Sequence, residues 1–192
     1  MAKSATINLL ILSIALMVST AALAQSKEDK ANTEREEIRK MAQDVLARLY
    51  QIQPSAQTAI QEAAGYAVFS DFGMKILVMG SGSGKGVAVD NKSKTETFMK
   101  MVEIQAGFGF GVKKFDLVWV FETPEALGKF VNSGWEFGGQ ASAAAKAGEK
   151  GRSLQGALAV SPGVWLYQLT ETGLAGELTV KGTKYSKNDD LN

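Results

Sequence analysis

The run "GSGSGKGVAV", residues 80–89, is where this sequence most invites a chemical reading, because glycine-rich loops can cradle phosphates through backbone N–H groups. A Walker-type loop requires glycine, four residues, then Gly-Lys-Ser/Thr. Counting back from Gly84-Lys85 puts Met79 at the first anchor and Gly86 at the hydroxyl position, so both fail. The dinucleotide pattern G-x-G-x-x-G fails as well, ending on Lys85, Val87 or Val89 in its three possible frames. Ser81 and Ser83 near Lys85 raise a Ser-Lys nucleophile, yet the helical Ser-x-x-Lys arrangement suits so glycine-dense a segment poorly. What remains is parity. Gly80, Gly82, Gly84 and Gly86 share one face of an extended chain, as do the glycines of "GFGFG" (107–111), and both runs read as sheet architecture. A turn inside "GSGSGKG", pairing "MKILVMG" with "GVAVD", is the expected local form.

Other chemistry is thin. The chain has no histidine and no cysteine, which removes the usual general base near neutral pH, the commonest metal ligand, disulfides and thiolate sites. Glu36-Glu37 and Asp189-Asp190 read as solvated charge on a helix surface and in a tail. Asp71, Asp90 and Asp116 are the acids an oxygen-only calcium site would use, but no EF-hand spacing links them. We therefore assign no catalytic residue, no metal ligand and no cofactor. Cations do gather locally, at Lys113-Lys114, at Lys146, Lys150 and Arg152, and at Lys181, Lys184 and Lys187. A glycine-punctuated basic loop beside apolar residues, as at 146–152, is what an anionic headgroup would use.

These residues need elements to hold them. One lysine, an apolar run from Ile7 to Val18, then Ala22-Leu23-Ala24 is the order of a secretory signal peptide, spanning 1–24 with cleavage after Ala24. The absence of cysteine excludes a lipid anchor attached through that residue. Residues 25–33 read as a mobile lead-in, with Thr33 and Glu36 at capping-box spacing ahead of a helix. Ile38, Met41, Val45, Leu49 and Ile52 form its apolar stripe, and its mixed-sign polar face favours packing on a sheet over lying on a membrane. Pro54 ends that helix, Ser55 caps a second short one, and Gly65 closes it.

All twenty glycines fall at or after Gly65, among strand candidates "YAVF", "MKILVM", "GVAVD", "VEIQAGFGFGV", "DLVWVF", "GVWLYQL" and "LAGELTV". Thr123, Pro124 and Glu125 start one further helix. The expected fold is α+β: N-terminal helices packed on a glycine-rich, strongly twisted, mainly antiparallel sheet curling toward a barrel. It forms a single domain over 34–187, followed by a disordered tail at 188–192.

Lys3 is the one charge before Gln25, so with 21 basic and 20 acidic residues overall the exported chain is neutral and has no global electrostatic claim on nucleic acid. In order, "AAGYAVF", "GKGVAVD", "QAGFGFGVKKFDLVWVFETPEAL", "FGGQASAAAKAGEKGR" and "TETGLAGELTVKGTKY" resemble the SYLF-domain family of lipid-binding proteins across residues 63–185. The resemblance implies an α+β domain that binds phospholipids, with bacterial members exported to the cell envelope. Two features depart from the family: Gly148-Glu149-Lys150-Gly151-Arg152 lacks the proline of the usual Gly-Pro-x-Gly-Arg, and the N-terminal helix is not the basic amphipathic segment of eukaryotic members. The expected function is a periplasmic or secreted, non-enzymatic domain engaging anionic phospholipid at a membrane surface. Lys146, Lys150, Arg152, Lys113 and Lys114 are the expected headgroup contacts. The alternative is an envelope protein acting through protein contacts, suggested by Trp135, Phe137 and Trp165 if those aromatics are exposed rather than core.

Overall fold

A computed structural model describes residues 2–70, 81–104, 115–133, 135–137, 154–175 and 183–192. The chain divides into two compact units, Met1–Glu37 with Leu191, and Ile38–Asp190 with Asn192. One helix, α1 (Ala2–Ile52), contributes to both. Its first proline-type stop is Pro54, and no glycine precedes Gly65, so nothing in "SKEDKANT" interrupts the helical ladder. Residues 25–33 are accordingly helical, within α1. Thr33 sits inside α1 and donates its hydroxyl to the Asp29 carbonyl (2.9 Å), which replaces the anticipated cap. Within this first unit Arg35 also bridges Glu28 (3.0 Å) and Asn32 (2.7 Å), and its Nε donates to the Leu191 carbonyl (2.8 Å).

The second unit is built on a curled antiparallel sheet, a half-barrel. Its strands are β1 (Gly65–Ser70), β2 (Ser81–Asp90), β3 (Glu96–Ile104), β4 (Asp116–Phe121), β5 (Trp135–Phe137), β6 (Leu158–Ser161), β7 (Val164–Thr170), β8 (Gly173–Leu174) and β9 (Thr183–Lys187). They are ordered β5-β9-β3-β2-β1-β4-β7-β6, with β8 beside β7. The expected α+β class is thus present, and "DLVWVF" coincides with β4.

Among the described residues 81–86, the turn expected inside "GSGSGKG" gives way to strand. Ser81 to Asp90 is one continuous strand, paired with β1 from Ser70↔Lys85 to Gly65↔Asp90 and with β3 from Ser81↔Ile104 to Val89↔Glu96. The glycines permit this. A Cβ on Gly86 would collide with the Val68 carbonyl oxygen and the Phe69 ring, and one on Gly84 would lie 2.7 Å from the Ser70 carbonyl oxygen. Strand β3 also begins at Glu96, six residues before the expected "VEIQ". "MKILVM", "GFGFG" and most of "LAGELTV" lie outside the described residues.

The two faces of the sheet bury different partners. On the inner face Ala67, Phe69, Ala88, Met99, Met101, Leu117, Trp119, Phe121, Leu166 and Tyr185 cluster with Leu127 and Phe130 of α3 (Pro124–Ser133). Phe69, Trp119, Phe121 and Tyr185 each place a ring within 4.9–6.1 Å of the Phe130 ring. The expected start of α3 is confirmed, since Thr123 Oγ1 accepts from the Ala126 N–H at 3.2 Å.

On the outer face, Ile38, Met41, Val45 and Leu49 of α1 are buried, while Ile52, the last residue of the expected stripe, is 40% exposed. Two arginines tie this part of α1 to strands. Arg39 meets Glu96 at 2.8 Å and stacks over Phe98 at 5.2 Å, and Arg48 meets Asp116 at 3.2 Å while donating to the Thr170 carbonyl.

Two smaller expectations change. The short helix α2 (Ser55–Glu62) is capped at Pro54 with no side-chain bond, and Ser55 instead accepts from the Gln53 amide at 2.6 Å. Gly65 opens β1, where a Cβ would strike the Val89 carbonyl oxygen, and α2 ends through an extended Ala63.

The tail at 188–192 is also placed by specific bonds. β9 stops pairing with β3 at Lys187, where the Phe98 N–H has no ladder partner on that side. The Asn192 side-chain amide accepts from that N–H (2.9 Å) and donates to the Phe98 carbonyl (2.8 Å), to which Asn188 N also donates at 3.0 Å.

Candidate functional site

Each expected headgroup residue, Lys113, Lys114, Lys146, Lys150 and Arg152, lies outside the described residues. What the described fold does bring together is a second set of cations that the sequence spreads over a hundred positions. Alternation along β2 puts Gly84 and Gly86 on the inner face, and so turns Lys85 outward. The same alternation on β3 buries Met99 and Met101 and turns out Lys100 and Val102. On β9 it buries Thr183 and Tyr185 and turns out Lys184 and Ser186.

Register then aligns them. One cross-strand row reads Asp116–Ser70–Lys85–Lys100–Ser186 across five strands, and the next reads Ser83–Val102–Lys184–Glu136. Lys85 and Lys100 stand directly opposite, and Lys184 is diagonal to Lys100, a separation of about 7–8 Å between such neighbours. All three lysines are exposed, and Val102 between them is 38% exposed. The carboxylate that closes the first row is engaged elsewhere: Asp116 accepts from Ser70 Oγ at 2.6 Å and pairs with Arg48.

The acids considered for metal binding have structural tasks. Asp90 accepts from the N–H groups of Ser93 (2.7 Å) and Lys92 (2.9 Å), closing the β2–β3 turn. Those bonds, the one from Ser93 first, hold its carboxyl below the usual carboxylate range. Asp116 is opposed by a guanidinium, and Asp71 lies outside the described residues. Among the described residues no three acids converge on a metal-sized site. Ser81, Ser83 and Lys85 occupy alternate positions of an extended strand, which does not supply helical Ser-x-x-Lys geometry. Beside the Asp90 turn, α3 borders a cleft of about 290 Å³ lined by Ser93, Thr95, Thr97, Leu127 and Asn132.

The aromatics behind the protein-contact alternative resolve in part. Trp165 is buried, so it belongs to the core. Trp135 and Phe137 stand at register positions opposite Tyr185 and Thr183.

Residues 102–192 match a family model described as "Ysc84: Las17-binding protein actin regulator". The match overlaps the stretch whose residues resemble the SYLF-domain family. It starts later than the resemblance read from the sequence, which reaches back to Ala63, and it runs on to the last residue. No curated protein matches the chain. The matched segment holds β4 to β9, α3, Lys184 and all five expected headgroup residues, whereas Lys85 and Lys100 precede it. Sequence reasoning weighed Lys85 only as a P-loop or Ser-Lys candidate and passed over Lys100, because each is isolated from other cations in the chain. Their signal was available only as parity against the neighbouring glycines and methionines.

Proposed function

We propose that this protein is an exported, non-enzymatic SYLF-type domain that engages anionic phospholipid headgroups through Lys146, Lys150, Arg152, Lys113 and Lys114. The observation that supports this most directly is that all five cations fall within the matched segment, in a chain with neither histidine nor cysteine. Arg152 matters most in this reading, because a guanidinium can hold a phosphate through two parallel hydrogen bonds. Export follows from the signal-peptide order of residues 1–24 and predicts a mature protein starting at Gln25, which N-terminal sequencing of the exported protein checks.

The test of binding is cosedimentation of the exported protein with vesicles of graded anionic lipid content at low and moderate salt. Binding rises with anionic lipid and weakens with salt, since surface charge is screened over about 8 Å at physiological ionic strength. Arg152→Ala with Lys150→Ala weakens it, and an unchanged isotherm for that variant removes these residues from the site.

A second reading, action through a protein partner, draws on the family description, which is of a protein that binds Las17 and regulates actin. It predicts no vesicle binding at either salt.

A further inference from the structure

We propose that the cleft between the β2–β3 turn and α3 binds a small neutral polyol, a single sugar ring or a short polyhydroxylated chain, with Asp90, Thr95, Thr97 and Asn132 meeting its hydroxyls and Leu127 and Val131 its carbon face. The inference goes beyond the phospholipid reading and does not depend on it. Strand alternation builds one wall. Ala88 and Asp90 share the inner-face parity of β2, Ala88 stands opposite Thr97, and the Thr95 carbonyl accepts from the Asp90 N–H beside them at 3.0 Å. The inner face continues into Met99 and Met101 of the core, so the cleft opens where the core ends. Helix α3 builds the other wall, on which Pro124, Gly128 and Asn132 recur at four-residue steps with Leu127 and Val131 on the same side. The space between them is about 290 Å³, at the low end of small-molecule sites (roughly 300–1,000 Å³), and so takes one ring.

The lining selects among ligands. A sugar hydroxyl both donates and accepts, so its site needs donors and acceptors side by side. Asp90 is an acceptor-only carboxylate, and Thr95 accepts from the Ser93 hydroxyl at 2.9 Å, which leaves its own O–H to donate. Thr97 adds a second hydroxyl, and Asn132 an amide with both functions. No lysine or arginine is among the described residues lining the cleft, and the Asp90 carboxylate repels a phosphate. Lys92 already acts on that carboxylate from within the turn, which favours a neutral ligand over a cation. A solvated sheet end alone would account for the threonines, but not for Gly128. Glycine inside a helix destabilises it relative to alanine, and no close packing demands it here, because a Cβ at Gly128 would meet nothing within 4 Å. The missing side chain keeps the cleft open.

The experiment titrates the isotope-labelled exported protein with glucose, myo-inositol and glycerol, read by NMR at the Thr97 and Asn132 amides. Saturable shifts are expected, with a Kd of about 1 mM for the best of the three. Gly128→Leu fills the space and should abolish the shifts while the melting temperature holds or rises, so that lost binding is not lost folding. Thr97→Val keeps the shape, removes one hydroxyl and should weaken binding about fivefold. The glycerol of a phosphatidylglycerol headgroup carries the same hydroxyl chemistry on a membrane. Binding to phosphatidylglycerol vesicles that exceeds binding to phosphatidylserine vesicles of equal charge, and that Gly128→Leu removes, would identify the polyol as that headgroup.

No shift with any of the three polyols, together with equal binding to the two kinds of vesicle, overturns this inference and leaves the phospholipid reading standing. Shifts that persist in Gly128→Leu place the ligand elsewhere and overturn it as well. Shifts with ethanolamine and none with the polyols would make the cleft a cation site, and the polyol assignment fails.

Discussion

At Gly86 the fold depends on a missing atom. The Phe69 ring lies across the glycine and the Val68 carbonyl presses on it from the adjacent strand, so a methyl group there meets backbone that cannot yield. Gly86→Ala is expected to cost about 3 kcal/mol or more, read as a drop in urea midpoint. Gly128 in α3 is the contrast, with open space where its Cβ would go. Gly128→Ala should stabilise the protein by about 0.5–1 kcal/mol by lowering the entropy of the unfolded chain and favouring helix. Tyr167 offers a third comparison. Its ring is fully buried, and its hydroxyl has no hydrogen-bond partner among the described residues. Tyr167→Phe removes that polar burden and should leave stability at neutral pH equal or higher by up to about 1 kcal/mol, measured by thermal melting.

Among the elements, α1 shows how apolar spacing and polar clamps divide the work of docking. Ile38, Met41, Val45 and Leu49 supply burial without direction, while Arg48 fixes the helix against β4 and β7 through Asp116 and the Thr170 carbonyl. Arg48→Met keeps most of the side-chain volume and loses both bonds. Because the guanidinium is partly solvated, the expected loss is modest, about 1–2 kcal/mol in a chemical melt.

Much of this was legible beforehand. The 3.6-residue stripe gave the buried face of α1, Thr123-Pro124 gave the start of α3, and "DLVWVF" gave β4. The missed features share a cause. The glycine run looked like a turn because glycine suits turns, and only the Phe69 ring and the Val68 carbonyl on the neighbouring strand reveal why it is a strand. The capping-box spacing at Thr33 was real, but a cap forms only where a helix begins, and no preceding residue ends one. The lysine face was invisible for a similar reason: Lys85, Lys100 and Lys184 become neighbours through register, which no local window contains.

Across the second unit as a whole, three tyrosines set the response to alkali. Burial pushes the Tyr167 phenol up to about 12, and burial also raises Tyr50 and Tyr66, with smaller contributions from Tyr66 on Tyr50 and from Glu96 on Tyr66. Each folded-state value lies above the unfolded value near 10, so the folded chain holds these protons more tightly. Their contribution is complete below about pH 10 and is lost as pH rises from there through about 12. Melting temperature followed by circular dichroism should therefore hold level to about pH 9.5 and fall steeply above it. Tyr167→Phe should flatten part of that fall.

The strict alternation of β2 has a consequence beyond binding. A one-residue slip of this strand would exchange its faces, carrying Lys85 in among Phe69, Met101 and Tyr185 and turning Gly84 and Gly86 out. An ammonium buried among aromatic rings is a cost that misaligned backbone pairing cannot offset. The lysines therefore make the slipped register costly. A Lys85→Leu/Lys100→Leu chain should melt like the parent yet refold with more light scattering, because the penalty that rejects the wrong alignment has been erased.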